Sequence, residues 1–354
     1  MNLTFAEILN WLREEDAQRL NELWQAADRL RQQFAGDEVH LRGLVEVSNY
    51  CTSRCGYCGL RFPNADLTRY RLSEAEVLDC VRQALAFGYG TVVLQAGEDP
   101  VLTREWVARL VRRIKTETPL AVTLSLGERS EQDLVAWRAA GADRYLLRFE
   151  TSNRQLYERI HPTRPGHPSD RLALLRRLRE MGYEVGSGVM IGIPGQSYED
   201  LARDIQLFAE LDLDMIGVGP FLPHPATPLG DPQLAESVAD QVPNSELMTY
   251  KVIALARRVC PRANIPATTA LATLNRLQGR ELGLARGANV VMPNLTPVDY
   301  RVLYEIYPDK ACVRETGDAC HTCLAVRIGA IGRSVGQGRG DSPNARERQN
   351  WASV

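Results

Sequence analysis

The stretch LRGLVEVSNYCTSRCGYCGL, residues 41–60, joins an apolar run to three cysteines within eight positions. Working outward from it, seven further apolar runs follow along the chain, and amphipathic stretches of about 10–15 residues separate them. This alternation is typical of βαβ units in a parallel sheet. Eight such repeats predict an α/β fold, a (β/α)8 TIM-type barrel. An open doubly wound sheet is the alternative, although it usually has fewer strands.

The N- and C-terminal parts of the chain differ from this repeat. Residues 1–36 have the pattern of one or two helices, and we expect the barrel to occupy residues 37–297. Residues 298–354 form a C-terminal extension that contains a second cysteine group. Its last segment, GRSVGQGRGDSPNARERQNWASV, is rich in Gly, Arg and Ser, and this composition predicts a flexible tail.

Charge and cysteine usage limit the class of protein. The formal charge of −2 on 354 residues offers no attraction for nucleic acid or a membrane surface. The N-terminal stretch has neither the apolar block of a signal peptide nor a membrane span, so we expect a cytoplasmic location. Thiols stay reduced there, and the eight cysteines are therefore interpreted as metal ligands or buried thiols. Cys80 and Cys260, which stand alone, are expected to be buried.

Three cysteines in C-x3-C-x2-C spacing, Cys51, Cys55 and Cys58, follow the first predicted strand. A structural zinc site needs four ligands, and this loop supplies no fourth Cys or His. Three thiolates on a [4Fe–4S] cluster leave one iron open for a substrate or cofactor. The loop would lie at the carboxyl ends of the strands, where TIM barrels have their active sites. Other polar residues that end predicted strands, among them Glu128, would face the same mouth.

This cysteine motif resembles the signature of radical S-adenosylmethionine (SAM) enzymes. The resemblance implies a [4Fe–4S] cluster whose open iron binds SAM and whose electron cleaves it to a 5′-deoxyadenosyl radical. Tyr57 takes the aromatic position that packs beside the adenine. QAGEDP (95–100), with Gly97 and Glu98, is similar to the element that lines the methionine amino group, although Asp99 is inserted. MIGIPGQ (190–196) is similar to an adenine-contacting loop.

Several further motifs resemble the HydE family of [FeFe]-hydrogenase maturases, over roughly residues 40–325; among them are YCGLR, TLSLGE, IGVGPFLPHPATPL and VMPNLTP. Cys312, Cys320 and Cys323 match the C-x7-C-x2-C site of an auxiliary Fe–S cluster that some members carry. A zinc site with His321 as fourth ligand is the alternative. The resemblance also implies a cysteine-bound iron carbonyl–cyanide substrate made by a partner radical SAM maturase, radical attack on its sulfur, and a scaffold GTPase that receives the product. The implied electron donor is a flavodoxin or ferredoxin.

The same resemblance assigns further site residues. Arg148, Glu150, Arg171, Met292 and Tyr300 would contact the cofactor. Arg42, Thr268 and Thr269 would line an anion-binding cavity inside the barrel, and with Tyr57 they are the candidate catalytic residues. Simpler roles stay open: an exposed Arg42 at the strand entry, a plain strand end at Thr268 and Thr269, and a structural pair of Arg148 with Glu150.

The remaining histidines carry less information. His224 lies in a proline-rich loop, where it packs, binds iron or handles protons. His161 and His167 are expected in an exposed turn. Two other functions stay open. One is a radical SAM amino-acid mutase of the methylornithine synthase type, or a sulfur-inserting synthase. The other is a non-catalytic Fe–S carrier or scaffold, which would have no use for SAM-contacting elements.

Overall fold

Ten short strands, all paired in parallel, build the centre of the molecule. The structure is a computed structural model and describes residues 3–163, 168–232 and 238–351. The strands are β1 (Glu38–Ser48), β2 (Thr91–Ala96), β3 (Ala121–Ser125), β4 (Arg144–Leu146), β5 (Glu184–Ser187), β6 (Met190–Ile191), β7 (Met215–Ile216), β8 (Gly219–Pro220), β9 (Val290–Val291) and β10 (Ser334–Val335).

The sheet closes into a ring. The ladder runs from β1 through β2, β3, β4 and β5 to β7. Single bridges join Met215 to Asn264 and Pro266 to Val290, and β9 then pairs with β1. Counting the segment 264–266, eight parallel positions surround the centre, and their inner and outer residues are mostly buried. The predicted (β/α)8 barrel is therefore confirmed, and the open doubly wound sheet is wrong.

Helices cover the outside of the barrel, and two of them precede the first strand, within residues 5–35. Side chains such as Ser73, Thr103 and Ser197 cap helix N-termini by accepting hydrogen bonds from the first turn. The helices are α1 (Phe5–Arg13), α2 (Ala17–Ala35), α3 (Glu74–Ala86), α4 (Arg104–Glu117), α5 (Glu131–Ala139), α6 (Arg154–Ile160), α7 (Arg171–Glu180), α8 (Tyr198–Glu210), α9 (Glu246–Val259), α10 (Thr269–Leu274), α11 (Gly279–Leu284), α12 (Val298–Arg301), α13 (Gly317–Ala330) and α14 (Pro343–Trp351). A 3₁₀ turn spans Pro228–Gly230.

The C-terminal segment seals the amino-terminal end of the barrel, so the prediction of a flexible tail is wrong for residues 334–342. β10 pairs with the start of β1. Thr91 Oγ1 donates to the carbonyl of Arg339 (2.7 Å), and Asn264 Nδ2 donates to that of Gly340 (3.0 Å). The tail is held because the barrel presents buried donors at this end, which need acceptors once water is excluded.

Within the described part of the chain, no helix is long and apolar enough to span a membrane.

Candidate active site

The cysteine loop begins directly after β1 and is anchored on three sides by backbone hydrogen bonds. The Thr52 amide donates to the Glu98 carbonyl (3.0 Å), the Gly56 amide to the Ile160 carbonyl (2.7 Å), and the Gly59 amide to the Ile306 carbonyl (3.0 Å). A Cβ at Gly59 would lie 2.2 Å from the carbonyl oxygen of Glu305, so only glycine fits there. The loop is thus held in place from three distant parts of the chain.

The thiols of Cys51, Cys55 and Cys58 are free, and the three residues are half-buried. Burial raises the pKa of Cys55 well above its ordinary value, and burial together with the neighbouring Cys51 raises that of Cys58 to about 12. Such thiols ionise at neutral pH only against a metal. Among the described residues, no three His, Cys, Asp or Glu side chains are gathered around one metal-ion position. Three separated thiols fit a cluster, in which each binds a different iron, better than a single zinc ion.

Tyr57 belongs to a buried aromatic group, and His161, predicted to be exposed, is part of it. The Tyr57 hydroxyl and His161 Nε2 are 2.8 Å apart, and the His161 ring stacks on Tyr157 at 4.6 Å. His161 is 6% exposed, and its Nδ1 has no hydrogen-bond partner among the described residues. Burial lowers the pKa of His161 well below its ordinary value, so the imidazole is neutral at neutral pH. The expected exposure is therefore wrong for His161, and His167 lies outside the described residues.

Glu98 is fitted tightly beside the cysteine loop. Ser53 Oγ donates to Glu98 Oε2 (2.5 Å), and the Glu128 amide donates to Oε1 (3.2 Å). A Cβ at Gly97 would lie 2.3 Å from the Tyr50 carbonyl oxygen, and one at Gly127 would lie 2.2 Å from Glu98 Cγ. These close approaches fix the carboxylate next to the cysteines.

The inserted Asp99 has a structural role. It is fully buried, accepts two hydrogen bonds from Arg71 (2.6 and 3.0 Å), and accepts another from Ser48 Oγ (2.7 Å). Burial acts to raise its pKa, but these hydrogen bonds outweigh that effect and lower it. Asp99 therefore ties the QAGEDP turn to the end of β1 as a carboxylate.

Arg171 lines an open cavity of about 520 Å3, and its guanidinium links Glu128 to the backbone of Arg148. Its Nε donates to Glu128 Oε1 (2.8 Å), and Nη1 donates to the Arg148 carbonyl (2.8 Å). Cys55, Glu98, Glu128, His161 and Arg171 all line this cavity. The place of Glu128 after the third predicted strand indicated that it lies at this site. Nothing in the sequence indicated that His161 does.

Glu150 and Arg148 form a pair on the segment that follows β4. Arg148 Nη2 donates to Glu150 Oε2 at 2.7 Å, while the Nε of Arg148 has no partner in the part of the chain that the structure describes. Glu150 is buried and has φ of +64°, a conformation that non-glycine residues adopt under strain and that is concentrated at functional sites. The structural pair left open by the sequence is therefore present, with one donor of the pair still unused.

A second cavity, of about 160 Å3, lies inside the barrel. Thr268 and Thr269, expected in a cavity inside the barrel, line it, and so do Met292 and Arg148, which were expected to contact the cofactor. Three charged residues that the sequence analysis missed also line it: Glu46, Arg280 and Lys310. Lys310 Nζ contacts Glu46 Oε1 at 2.8 Å, while Glu46 Oε2 and Arg280 Nε are buried and have no partner within residues 3–163, 168–232 and 238–351. Unsatisfied buried groups of both signs suit a polar, charged ligand.

Comparison with known proteins identifies the family. Residues 45–208 match the model of the radical SAM superfamily. The chain is 45% identical to the [FeFe] hydrogenase maturase subunit HydE of Thermotoga maritima, over 89% of this chain and 87% of that protein. The chain belongs to the HydE family. It is therefore a radical SAM enzyme, and membership in the superfamily implies a [4Fe–4S] cluster and SAM.

Two other kinds of protein are similar to this chain, the first in sequence and fold and the second in fold alone. The 3-methylornithine synthase of Methanosarcina acetivorans is 30% identical over 81% of this chain and 78% of that protein. A crystal structure of methylornithine synthase superposes with a TM-score of 0.79 at 25% identity, covering 99% of this chain and 97% of that one. The maturase HydG of Carboxydothermus hydrogenoformans, at 20% identity, has a TM-score of 0.69 over 83% of this chain and 68% of that one, which shows a shared fold alone.

In this HydE-family chain, the second cysteine group borders the interior cavity. Cys312 and Cys320 line both that cavity and an adjoining one of about 180 Å3, which Cys323 also lines. Arg280 Nη1 is 3.3 Å from Cys312 Sγ, and Cys312 has φ of +60°. All three cysteines thus line the adjoining cavity.

His321 does not join these cysteines. Positions 320 and 323 share a face of α13, and position 321 lies on another face. Its ring stacks on Phe87 at 4.7 Å, and Nδ1 is 3.2 Å from the Tyr89 hydroxyl. These contacts count against the zinc site with His321 as fourth ligand.

Two of the expected site residues lie elsewhere. Arg42 is 1% exposed and donates to the Gly340 carbonyl (3.0 Å) at the sealed end of the barrel, so neither the exposed strand-entry role nor a place in the described interior cavity holds. Tyr300 donates to Glu76 of α3 (2.8 Å), outside the linings of the two cavities described above.

His224 is buried in its loop, and its Nδ1 accepts from the Ala226 amide (3.0 Å), which fits the packing role.

Proposed function

We propose that this chain acts in the maturation of [FeFe]-hydrogenase, on a cysteine-bound iron carbonyl–cyanide precursor of the diiron subcluster. The observation that carries the proposal is the 45% identity to the HydE maturase of Thermotoga maritima over nearly the whole of both chains. The expected site is compatible with it, because the cysteine loop and the interior cavity both lie among the segments that follow the strands.

Cys51, Cys55 and Cys58 would hold the [4Fe–4S] cluster, and Glu98, Glu150 and Arg171 would hold SAM. When bound, these two groups supply a 5′-deoxyadenosyl radical. Glu98 is aimed by Ser53 and can accept a hydrogen bond from the amino group of the methionine moiety. Tyr57, packed against Leu156 and Met190, offers an apolar ring face for the adenine.

The substrate would bind in the interior cavity. Arg148 and Arg280 each have an unused, buried Nε, and such donors can bind the carboxylate of a cysteine ligand. Thr269, at the cavity wall, adds a hydroxyl. The enclosing barrel keeps water away from reactive species, which is a protective use of a closed site.

The partners that the family implies are a second radical SAM maturase that supplies the precursor, a scaffold GTPase that takes the product, and a flavodoxin or ferredoxin that supplies electrons. These partners and a cytoplasmic location are part of the proposal. The second cysteine group would hold an auxiliary Fe–S cluster at the far wall of the interior cavity.

An amino-acid mutase is the second candidate. It is favoured by the 30% identity to 3-methylornithine synthase and by the fold similarity to that enzyme. Both candidates need SAM cleavage and an amino-acid-like substrate, so the site's charges alone do not separate them. The substrate that drives SAM consumption does.

The test is an anaerobic turnover assay on reconstituted, dithionite-reduced protein. SAM consumption would be measured with the synthetic cysteine–iron dicarbonyl cyanide complex, with lysine, and with no substrate, and adenosyl products would be read by mass spectrometry. An adenosyl–sulfur adduct with the iron complex alone supports the maturase. Deoxyadenosine formed with lysine supports the mutase, and no SAM cleavage under any condition supports an Fe–S carrier.

A further inference from the structure

Arg69 holds together the two ends of the cysteine loop. Its Nη1 donates to the carbonyl oxygens of Asn49 (2.5 Å) and Leu60 (2.8 Å). Its Nη2 donates to those of Arg61 (2.9 Å) and Asn64 (3.2 Å). Asn49 lies two residues before Cys51 and Leu60 two residues after Cys58, so one guanidinium brackets the whole three-cysteine segment.

The acceptors of Arg69 are all backbone carbonyls. None of these four hydrogen bonds goes to a carboxylate, which distinguishes Arg69 from Arg71, two residues on, whose charge is paired with Asp99 at 2.6 Å. None of the four groups that Arg69 binds compensates its positive charge. Because the guanidinium contacts Asn49 and Leu60, each two residues from a cysteine, this charge can act on the sulfur ligands.

The planar fork of arginine is required for this arrangement. Four carbonyls in two pairs match the parallel N–H groups of a guanidinium, whereas a lysine ammonium is a compact charge with three donors on a flexible stem. Lysine would keep the charge and lose most of the bridging hydrogen bonds. The two properties of Arg69, bridging and charge, can therefore be separated by substitution.

We propose that Arg69 is a positioning residue for the cluster: it splints residues 49–64 before the metal binds, and its charge raises the reduction potential of the bound cluster. The second half of this proposal rests on the proposed [4Fe–4S] site, and the first half concerns the metal-free chain. A three-thiolate cluster gains negative charge when it is reduced, so an adjacent unpaired cation favours the reduced form. SAM cleavage needs that form, which gives the cation a use in the reaction.

The experiment compares Arg69→Lys and Arg69→Met with the wild type, with Arg54→Gln as the control. Arg54 lies within the same loop but is exposed, so water and salt screen its charge. Hydrogen exchange in iron-free protein would follow the amides of Phe62 and Asn64, which donate to Ser53 and Arg61 carbonyls. Reductive titration of reconstituted protein, followed by electron paramagnetic resonance, would give the midpoint potential.

Both Arg69 variants should exchange these amides at least tenfold faster, with an unchanged far-UV spectrum. Arg69→Met should also lower the ratio of reduced to oxidised cluster at a fixed potential by about tenfold, which is a shift of about 59 mV for one electron. Arg69→Lys should keep a potential near that of the wild type, and so should Arg54→Gln.

Wild-type exchange rates in both Arg69 variants would overturn the splint, and an unchanged potential in Arg69→Met would overturn the role of the charge. A shift in Arg54→Gln as large as that in Arg69→Met would overturn the specific role of Arg69. If the wild-type protein itself takes up no iron, the cluster assignment and with it the charge role have failed, and the exchange rates still decide on the splint.

Discussion

Replacing Lys310 with methionine should destabilise the protein by about 3–5 kcal/mol. Lys310 and Glu46 form an ion pair at 2.8 Å, with side chains 7% and 2% exposed. The second oxygen of Glu46 already has no partner. Removing the ammonium would leave a buried carboxylate without its cation, and breaking a buried pair from one side costs about this much. The loss of the hydrogen bond from Lys310 to the Tyr304 carbonyl (2.9 Å) acts in the same direction.

A double-mutant cycle tests this reasoning. Glu46→Gln removes the carboxylate charge that Lys310→Met leaves without its cation. The double variant should therefore be less destabilised than the sum of the two single variants, by about 2 kcal/mol. Guanidinium unfolding of iron-free protein, followed by tryptophan fluorescence, gives the free energies of unfolding of the wild type and the three variants, provided that the m-values agree. A cost below 1 kcal/mol for Lys310→Met, or strictly additive effects, would refute the reasoning and indicate that water reaches the pair.

Four other substitutions give further predictions. Cys55→Ala should abolish SAM cleavage while circular dichroism and the melting temperature stay near the wild type, because the thiol serves the metal; retained cleavage would contradict the cluster assignment. Cys320→Ala should lower the iron content and keep SAM cleavage, whereas His321→Ala should leave the metal content unchanged and cost about 1 kcal/mol of ring stacking; metal analysis and unfolding curves decide both. Burial raises the pKa of Asp204 to about 7, so the folded state holds a proton that the unfolded chain releases near pH 4. This carboxyl therefore destabilises the fold as the pH rises from 4 to 7, by up to about 4 kcal/mol, and unfolding at several pH values should show that Asp204→Asn lacks this loss.

The barrel and the cysteine loop were predictable because their signals are local. Apolar runs of strand length, separated by helical stretches, specify a closed parallel sheet, and three cysteines within eight residues specify one loop. The sequence also placed Glu98 and Glu150 after strands. In the structure, Glu98 accepts a hydrogen bond from Ser53 of that loop, and Glu150 accepts one from Arg148. Such features depend on neighbours in the sequence.

The misplaced residues show what local reasoning lacks. Arg42 shares the inward face of β1 with Glu46, but it precedes the strand's end at Ser48 by six residues, which is about 20 Å along a strand. Facing inward therefore did not place it at the mouth. His161 looked like part of a proline-rich turn, yet it follows α6 and lies four residues after Tyr157, on which it stacks.

Charged contacts between segments that are distant in the chain could not be predicted from the sequence. Lys310 and Glu46 are 264 residues apart, and nothing in either segment indicates the other. The same holds for Arg42 and the carbonyl of Gly340, 298 residues apart. A Gly-rich tail has the composition of a disordered segment, but glycine also lets a backbone approach closely: a Cβ at Gly90 would lie 1.6 Å from the Gly338 carbonyl oxygen.

The seal formed by residues 334–342 has a consequence for biosynthesis. The first strand pairs with a segment that the ribosome adds almost 300 residues later, since Glu38 is in register with Ser334. While the strands are being translated, the amino-terminal end of the nascent barrel, its floor, stays open to water, and Arg42 stays hydrated. Closure of this floor is therefore a late event, and a chain that stops before residue 334 would complete every strand of the ring while leaving its charged base exposed.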